Sequence, residues 1–438
     1  LAALQWLFAA FCCAATANRF FNLPWRRLGV GSFGFSHPER HDCWNQRDFM
    51  HPEAGVVARP SRLRSGAKTR FVILLFFMVC PLAVFATISL TKSPLFAFAF
   101  VWWFGVWYEL HMTHIKALPT INGKPTRLRK RSMLAFFMSS VVMLISAKYA
   151  WYIIVLALIL ALLNDRKRWK TYVVTLLLPT VLIHGGIVFL ADSGAIISGD
   201  PIESRGIQLQ QIARVAKYNP QGIPADAASK LEPIFNLDQM ADAYYQQDAD
   251  PVKSSGIQSK KVSYKWRTVT KEDMENFNKA WLEIVKANPV IALDAFFAEC
   301  FGYFDVTDLT YVSMDYYVNN DYVQEDNDWI HLYNHEWRDK VADFAKQWGK
   351  IPVFGWLVHG NLYVTLTLLI GAAEVVLRRW RSLSWHLPLL LLMGVMITAP
   401  ANNFERHMLP VAFVFGFLCL QFWRESRRQR HTAMPTGS

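Results

Sequence analysis

Acidic residues are scarce over most of this 438-residue chain. Of its 34 Asp and Glu, 25 fall between Asp192 and Lys350, beside 16 of the 46 Lys and Arg; the remainder holds 9 acids against 30 bases. Cysteine is scarce too. Four of the six, Cys12, Cys13, Cys80 and Cys419, lie in apolar segments, and Cys43 and Cys300 are isolated. Without CxxC spacing, neither a zinc site nor a disulfide framework is supported. No Walker loop, GxSxG, HExxH or GxGxxG in a strand-turn-helix context occurs, so the local signatures of those chemistries are missing. The net charge of +12 does not indicate nucleic acid, because the basic residues sit in short loops beside apolar runs rather than on one folded face.

What the chain does have is long apolar runs. Phe71–Leu90 carries no charge and is long enough to cross roughly 30 Å of hydrocarbon. Leu95–Leu110, Met133–Ala147, Tyr149–Leu163, Tyr172–Leu190, Val353–Leu377, Trp385–Pro400 and Met408–Trp423 are further candidates. Leu1–Ala17 is another, read as the tail of a truncated spanning helix rather than a signal-peptide core. The expected fold class is all-α: a polytopic helical membrane protein of about nine spans, with one mostly helical extracytoplasmic domain.

Basic short loops belong on the cytoplasmic side of a bilayer. With Arg59–Arg70 placed inside, the loops His114–Arg131, Asn164–Lys170, Arg378–Arg381 and Arg424–Arg430 all fall inside as well, and the acidic block falls outside. Residues 1–70 then form a partial span and an irregular basic segment, 71–191 a set of transmembrane helices, 192–350 the extracytoplasmic domain, and 351–438 the C-terminal spans and basic tail. The C-terminus is expected in the cytoplasm, and the protein in the plasma membrane.

Within the outer block, Glu203–Lys217 reads as an amphipathic helix with Leu209, Ile212, Ala213 and Ala216 on one face. That face is expected to lie against the spans, with Glu203 and Arg214 toward a cavity. Thr270 with Asp273 resembles a capping signal for a helix stopped before Pro289. Val290–Phe304 suits burial against the membrane or its interface. Tyr311–Tyr333 reads as an irregular loop, and Arg338–Trp348 as a short helix. Asn18–Arg64 shows no periodicity and is expected to be poorly packed.

The candidate site is a set of polar groups expected at the outer membrane face. Lys92 and Lys148 sit in outer turns, Asp200 and Glu203 follow a span, Gln210 and Arg214 lie further along the helix, and Glu405, Arg406 and His407 occupy the last outer turn. Clustered cations suit an anionic group such as a lipid-linked phosphate. Each residue also has a plain structural reading. Lys92 and Lys148 can snorkel, Glu203 can complement a helix dipole, and Arg406 and His407 can anchor at the interface. His184, within an apolar span, reads as an interhelical donor rather than a metal ligand.

ISLTKSPLF (Ile88–Phe96), LLNDRKRWK (Leu162–Lys170), ESRGIQLQQIARV (Glu203–Val215), DADPVK (Asp248–Lys253), NPVIALDAFFAECFGYF (Asn288–Phe304) and APANNFERHMLPV (Ala399–Val411) follow one another in order. In this series the chain resembles a family of uncharacterised Gram-positive multi-pass membrane proteins. That family is itself similar to the GT-C class of polyprenyl-phosphate-dependent glycosyltransferases. The resemblance implies sugar transfer from a polyprenyl-phosphate donor to a cell-envelope glycan acceptor. Membrane lipid and the lipid-linked sugar are its partners, and neither nucleic acid nor a cofactor is implied.

In such chemistry an acid deprotonates the acceptor hydroxyl while cations stabilise the departing phosphate. Lys92, Lys148 and Arg406 are assigned to the phosphate, and Gln210 and Arg214 to the substrate-binding helix, with Glu203 a weak catalytic candidate. Two features depart from the pattern. The acid-bearing first outer loop of GT-C enzymes is not recognisable, and Ser93 stands where relatives carry an acid. The chain as given is therefore expected to be truncated or altered and not to complete a catalytic cycle. A transporter or flippase and a non-catalytic scaffold of envelope assembly are the competing readings.

Overall fold

The computed structural model describes residues 2–26, 67–114, 130–196, 200–253, 264, 269–307, 312–326, 330, 332–380, 382–398 and 403–433. Of the stretch 18–64 that was expected to be poorly packed, 27–64 lies outside them, as does most of the loop 114–131. Residues 18–26 instead continue the first helix and bury Phe20 and Phe21 in the core. The fold is all-α: helices are the regular elements of the described residues, with two isolated β-bridges, Tyr245 to Asp248 and Val312 to Phe404.

The first half of the chain is a helical bundle: α1 (Ala2–Arg26), α2 (Ala67–Val79), α3 (Pro81–Ile88), α4 (Lys92–His114), α5 (Lys130–Ser146), α6 (Ala150–Asn164), α7 (Trp169–Tyr172) and α8 (Leu178–Asp192). The apolar run Phe71–Leu90 is not one straight helix. It bends by 51° between α2 and α3, where Pro81 supplies no backbone N–H and its ring displaces the preceding turn. The run from Arg166 to Asp192 is continuous, with a π-turn at Val173–Leu177. This 27-residue helix is long and apolar enough to cross a bilayer unaided, and the bent pair makes a second if it is one span. Ala150–Asn164, Gly360–Val376 and His386–Thr398 are apolar but shorter.

Helix α4 is the axis of the bundle. Phe96, Phe98, Phe100, Trp103, Phe104 and Tyr108 are all fully buried on it, as a helix apolar all round requires. Gly105 permits α1 to approach: a Cβ there would stand 2.7 Å from Thr16 Oγ1, and that hydroxyl donates to the Val101 carbonyl at 2.8 Å. Glu109, on the same helix, accepts from Arg19 at 3.1 Å and from Ser132 at 2.8 Å, which ties α1, α4 and α5 together.

The acidic stretch continues with α9 (Gly206–Tyr218), α10 (Ala225–Leu231), α11 (Leu237–Ala243), α12 (Asp250–Lys253), α13 (Lys271–Ala287), α14 (Pro289–Cys300) and α15 (His335–Gly349). The Thr270–Asp273 capping box is present in both directions, at 3.1 and 2.8 Å. Leu209, Ile212, Ala213 and Val215 of α9 join Phe277, Ala280 and Ile284 of α13 in a second core drawn entirely from residues 202–284. The apolar face of α9 therefore packs on its own neighbours α11, α13 and α14 rather than on the bundle. Cys300, Tyr303, Met314 and Val318 belong instead to the core of the bundle.

Helices α16 (Gly360–Val376), α17 (Leu383–Thr398) and α18 (Leu409–Ala433) complete the chain. The run starting at Val353 becomes helical only at Gly360. Val353 itself has φ 67°, and a 3-10 turn, Gly355–Val358, intervenes. His184 is exposed on α8 and stacks on Trp151 with ring centroids 5.5 Å apart, so it is not a buried interhelical donor.

Candidate functional site

The site forms where the acidic stretch meets the bundle. Asp248 closes the bridge with Tyr245 and accepts the Asp250 N–H at 2.9 Å, a short turn that starts α12. One helical turn then returns Lys253 to Asp250, Nζ to Oδ1 3.2 Å, with the lysine stem buried. On α14, Ala292, Ala295 and Glu299 face inward while Val290, Leu293 and Phe297 are exposed.

The turn before α18 packs on both. The Asn403 N–H donates to the Gln247 carbonyl at 2.9 Å. Glu405, only 3% exposed, accepts the N–H of Met314 at 2.7 Å and of Gly360 at 3.2 Å, so one carboxyl holds three distant segments. Arg406 donates to the Tyr317 hydroxyl at 2.9 Å and stands 4.7 Å over the Phe404 ring. Tyr303 and His407 Nδ1 are 3.1 Å apart.

Burial governs the electrostatics. It pushes Glu299 up to about 8, against the opposing charge of Lys253. It also pushes Asp248 up to about 6. The Asp250 N–H, Lys253 and Arg406 oppose that shift, while the Asp250 charge adds to it. Glu405 is raised to about 8, again by burial, opposed by its two backbone donors. Asp248 is thus mostly ionised at neutral pH and Glu299 mostly protonated, a division of carboxyl states that suits acid–base work. Several buried polar atoms have no partner among the described residues: Glu299 Oε2, Arg406 Nε, and both amide atoms of Asn403. Among the described residues, no group of three or more His, Cys, Asp or Glu is placed to hold a metal ion.

Arg406 belongs to this cluster, and it acts electrostatically on Asp248 and Tyr149. Phe96, one turn into α4, meets the Tyr149 ring edge-on at 5.2 Å. The turns carrying Lys92, Lys148 and Arg406 therefore adjoin. The lysines themselves are exposed, without an ion pair or side-chain hydrogen bond among the described residues.

Gln210 is buried, and its Nε2 donates to the Tyr245 carbonyl at 2.8 Å, so it braces the loop that delivers Asp248. Arg214 is engaged by Tyr244 at 2.6 Å and by Asp294, and so holds α9 to α14 instead of facing a cavity. Glu203 is exposed in the 3-10 turn Pro201–Ser204, before α9 begins. Asp200 caps that turn and accepts from the Tyr264 hydroxyl at 2.5 Å.

Sequence reasoning passed over Asp248, Lys253 and Glu299. The signal for Glu299 was its place in register with Ala292 and Ala295, on the less bulky face of an apolar helix.

The stretch from residue 1 to residue 435 matches the model of a family of unknown function, DUF6020. The chain belongs to that family. No curated protein and no solved structure matches it. All the site residues fall inside the stretch the DUF6020 model covers.

Proposed function

We propose that this DUF6020 protein is a multi-pass plasma-membrane glycosyltransferase of GT-C type, with about nine spans and residues 192–350 outside. It would transfer a sugar from a polyprenyl-phosphate donor to an envelope glycan. One observation carries the reading. Three separate motifs of the resemblance, those holding Lys253, Glu299 and Arg406, meet in a single buried cluster with unmatched polar atoms.

Two further features support it. Large apolar side chains face outward on several helices, among them Phe71 and Met78 on α2, Val181 and Phe189 on α8, and Leu134 on α5. A belt of that extent needs an apolar surrounding. The acid-bearing outer loop that the sequence does not show has a substitute in this proposal, and the chain is active with it: Asp248 is a buried, mostly ionised carboxyl beside two cations.

In this mechanism Asp248 takes the proton of the acceptor hydroxyl as it attacks the anomeric carbon. Arg406 and Lys253 stabilise the phosphate as it leaves. Lys92 and Lys148, at the adjoining turns, guide the donor headgroup inward. Among the described residues, the bend between α2 and α3 favours a transporter, because broken helices line substrate paths.

The test is transfer from a polyprenyl-phosphate sugar by the purified full chain in proteoliposomes. Wild type should transfer, and Asp248→Asn should lose roughly 10²–10⁴-fold in rate, the range for removal of a general base. A folded wild type that transfers nothing, while still scaffolding envelope assembly in cells, would replace the enzyme with the scaffold reading.

A further inference from the structure

At the opposite end of the bundle, Arg424 lies on α18 and is 4% exposed. Its Nη1 donates to the Phe20 carbonyl at 2.7 Å and to the Tyr108 hydroxyl at 3.4 Å. Its Nε and Nη2 have no partner among the described residues. Among the described residues, the groups acting on its charge are Tyr108 and a second cation, Arg70. No carboxylate is among them.

Other arginines at this end are matched, half-buried Arg19 to Glu109 at 3.1 Å, half-buried Arg168 to Asp165 at 3.3 Å, and buried Arg379 to Glu374 at 3.5 Å. Arginine keeps its proton in proteins, and a buried cation without a counter-charge is strongly destabilising. The unmatched Nε and Nη2 form one edge of the guanidinium, the edge that grips two oxygens of a phosphate side by side.

The flank beside Arg424 is apolar. Helices α2 and α18 touch, with Ile73 3.4 Å from where a Cβ on Gly416 would stand. Arg70, in the first turn of α2, is half-buried with its guanidinium 5.4 Å over the Phe21 ring. The next residues, Phe71 and Val72, are each 64% exposed. Exposure falls from Phe71 and Val72 through half-buried Arg70 to buried Arg424. The sequence also places this end on the basic, cytoplasmic side, where pockets between helices take anionic headgroups.

We propose that Arg424, with Arg70 at its rim, binds the phosphate group of an anionic phospholipid between the inner ends of α1, α2, α4 and α18. The site rests on the bilayer placement proposed above and is independent of sugar transfer.

The full-length protein, purified in a neutral detergent, would be reconstituted in nanodiscs of phosphatidylcholine, of phosphatidylcholine with phosphatidylglycerol, and of phosphatidylcholine with added inorganic phosphate. Retained lipid is counted by native mass spectrometry, and unfolding is followed by tryptophan fluorescence. Wild type should retain phosphatidylglycerol and unfold at a higher temperature in its presence. Arg424→Gln should retain about tenfold less, the loss expected for one charge-assisted contact. Arg424→Lys should fall between, since an ammonium lacks the two-pronged edge. Lys68→Gln, an exposed cation of the same helix turn as Arg70, should match wild type.

Equal retention by wild type and Arg424→Gln, or equal stability in the two lipids, would overturn the proposal. Should Arg424→Gln not fold, retention by folded Arg424→Lys equal to wild type would overturn it as well. An equal stabilisation by inorganic phosphate alone would assign the site to free phosphate and overturn the lipid source. A chain that enters none of the nanodiscs contradicts the bilayer placement, and a chain that binds lipid but transfers no sugar contradicts only the enzymatic reading.

Discussion

Gly302 lies under Asn403 so closely that a Cβ on the glycine would stand 1.8 Å from the amide nitrogen. The contact joins the end of α14 to the turn before α18, the two pieces that deliver Glu299 and Arg406. Gly302→Ala should therefore lower stability by about 1–3 kcal/mol, as overpacking does. The double variant Gly302→Ala/Asn403→Ala should recover part of the loss. Thermal unfolding of the four proteins in detergent gives the coupling directly. Additive effects would mean that the two residues yield independently.

The buried carboxyls set the pH dependence. Glu299 and Glu405 have folded pKa values of about 8, above the ordinary 4.5. Between those values the folded state keeps protons that the unfolded chain has lost, so stability is complete below about pH 4.5 and falls as pH rises toward 8. One group contributes a slope of at most about 1.4 kcal/mol per pH unit. Glu299→Gln should flatten the decline over pH 5–8 by part of that slope. An unchanged pH profile in the variant would show that Glu299 ionises freely in the fold.

Val353 carries a β-branched side chain at φ 67°, a conformation that is strained for any residue of that shape. Glycine relieves the strain at some cost in unfolded-chain entropy. Val353→Gly should be neutral to about 1 kcal/mol stabilising, whereas the same change at exposed Val188 inside α8 should destabilise by a similar amount. Thermal midpoints of the two variants decide this, and a destabilised Val353→Gly would locate the strain elsewhere.

Orientation has a direct readout. Reporter fusions at Gln258 should give an extracytoplasmic signal, and fusions at Arg129, Arg168 and Arg379 a cytoplasmic one, following the basic loops. A cytoplasmic signal at Gln258 would place the Asp248–Glu299–Arg406 cluster on the wrong face for a lipid-linked donor outside the cell.

What the sequence made legible was local. The capping box at Thr270 and Asp273 and the stop before Pro289 involve residues three or four apart, and the helix forms as read. The run Tyr149–Leu163 emerges as α6 to within a residue. What required the third dimension was missed. Hydropathy alone carried the Phe71–Leu90 run across Pro81, where the backbone breaks. The apolar face of α9 was evident, but its partners α11, α13 and α14 were not, because amphipathicity names a face and not what covers it. Arg214 looked available for a ligand until Tyr244 and Asp294 came within reach from other helices. For Glu299 the register with Ala292 and Ala295 marked only a face, because the Lys253 charge that acts on it comes from a distant part of the chain.

The division of cores has a practical consequence for cutting the chain. Charge composition marks 192–350 as the unit, but Cys300, Tyr303, Met314 and Val318 within it are anchored in the helical bundle. Excision along the charge boundary would tear those side chains from their packing and expose them to water. A cut just before Pro289 would keep the buried members of the 202–284 core together but strip away α14, which covers α9 and packs Ile291 on that core. The mechanical seam of the molecule runs through the acidic stretch, and the cluster around Asp248 and Glu299 straddles that seam.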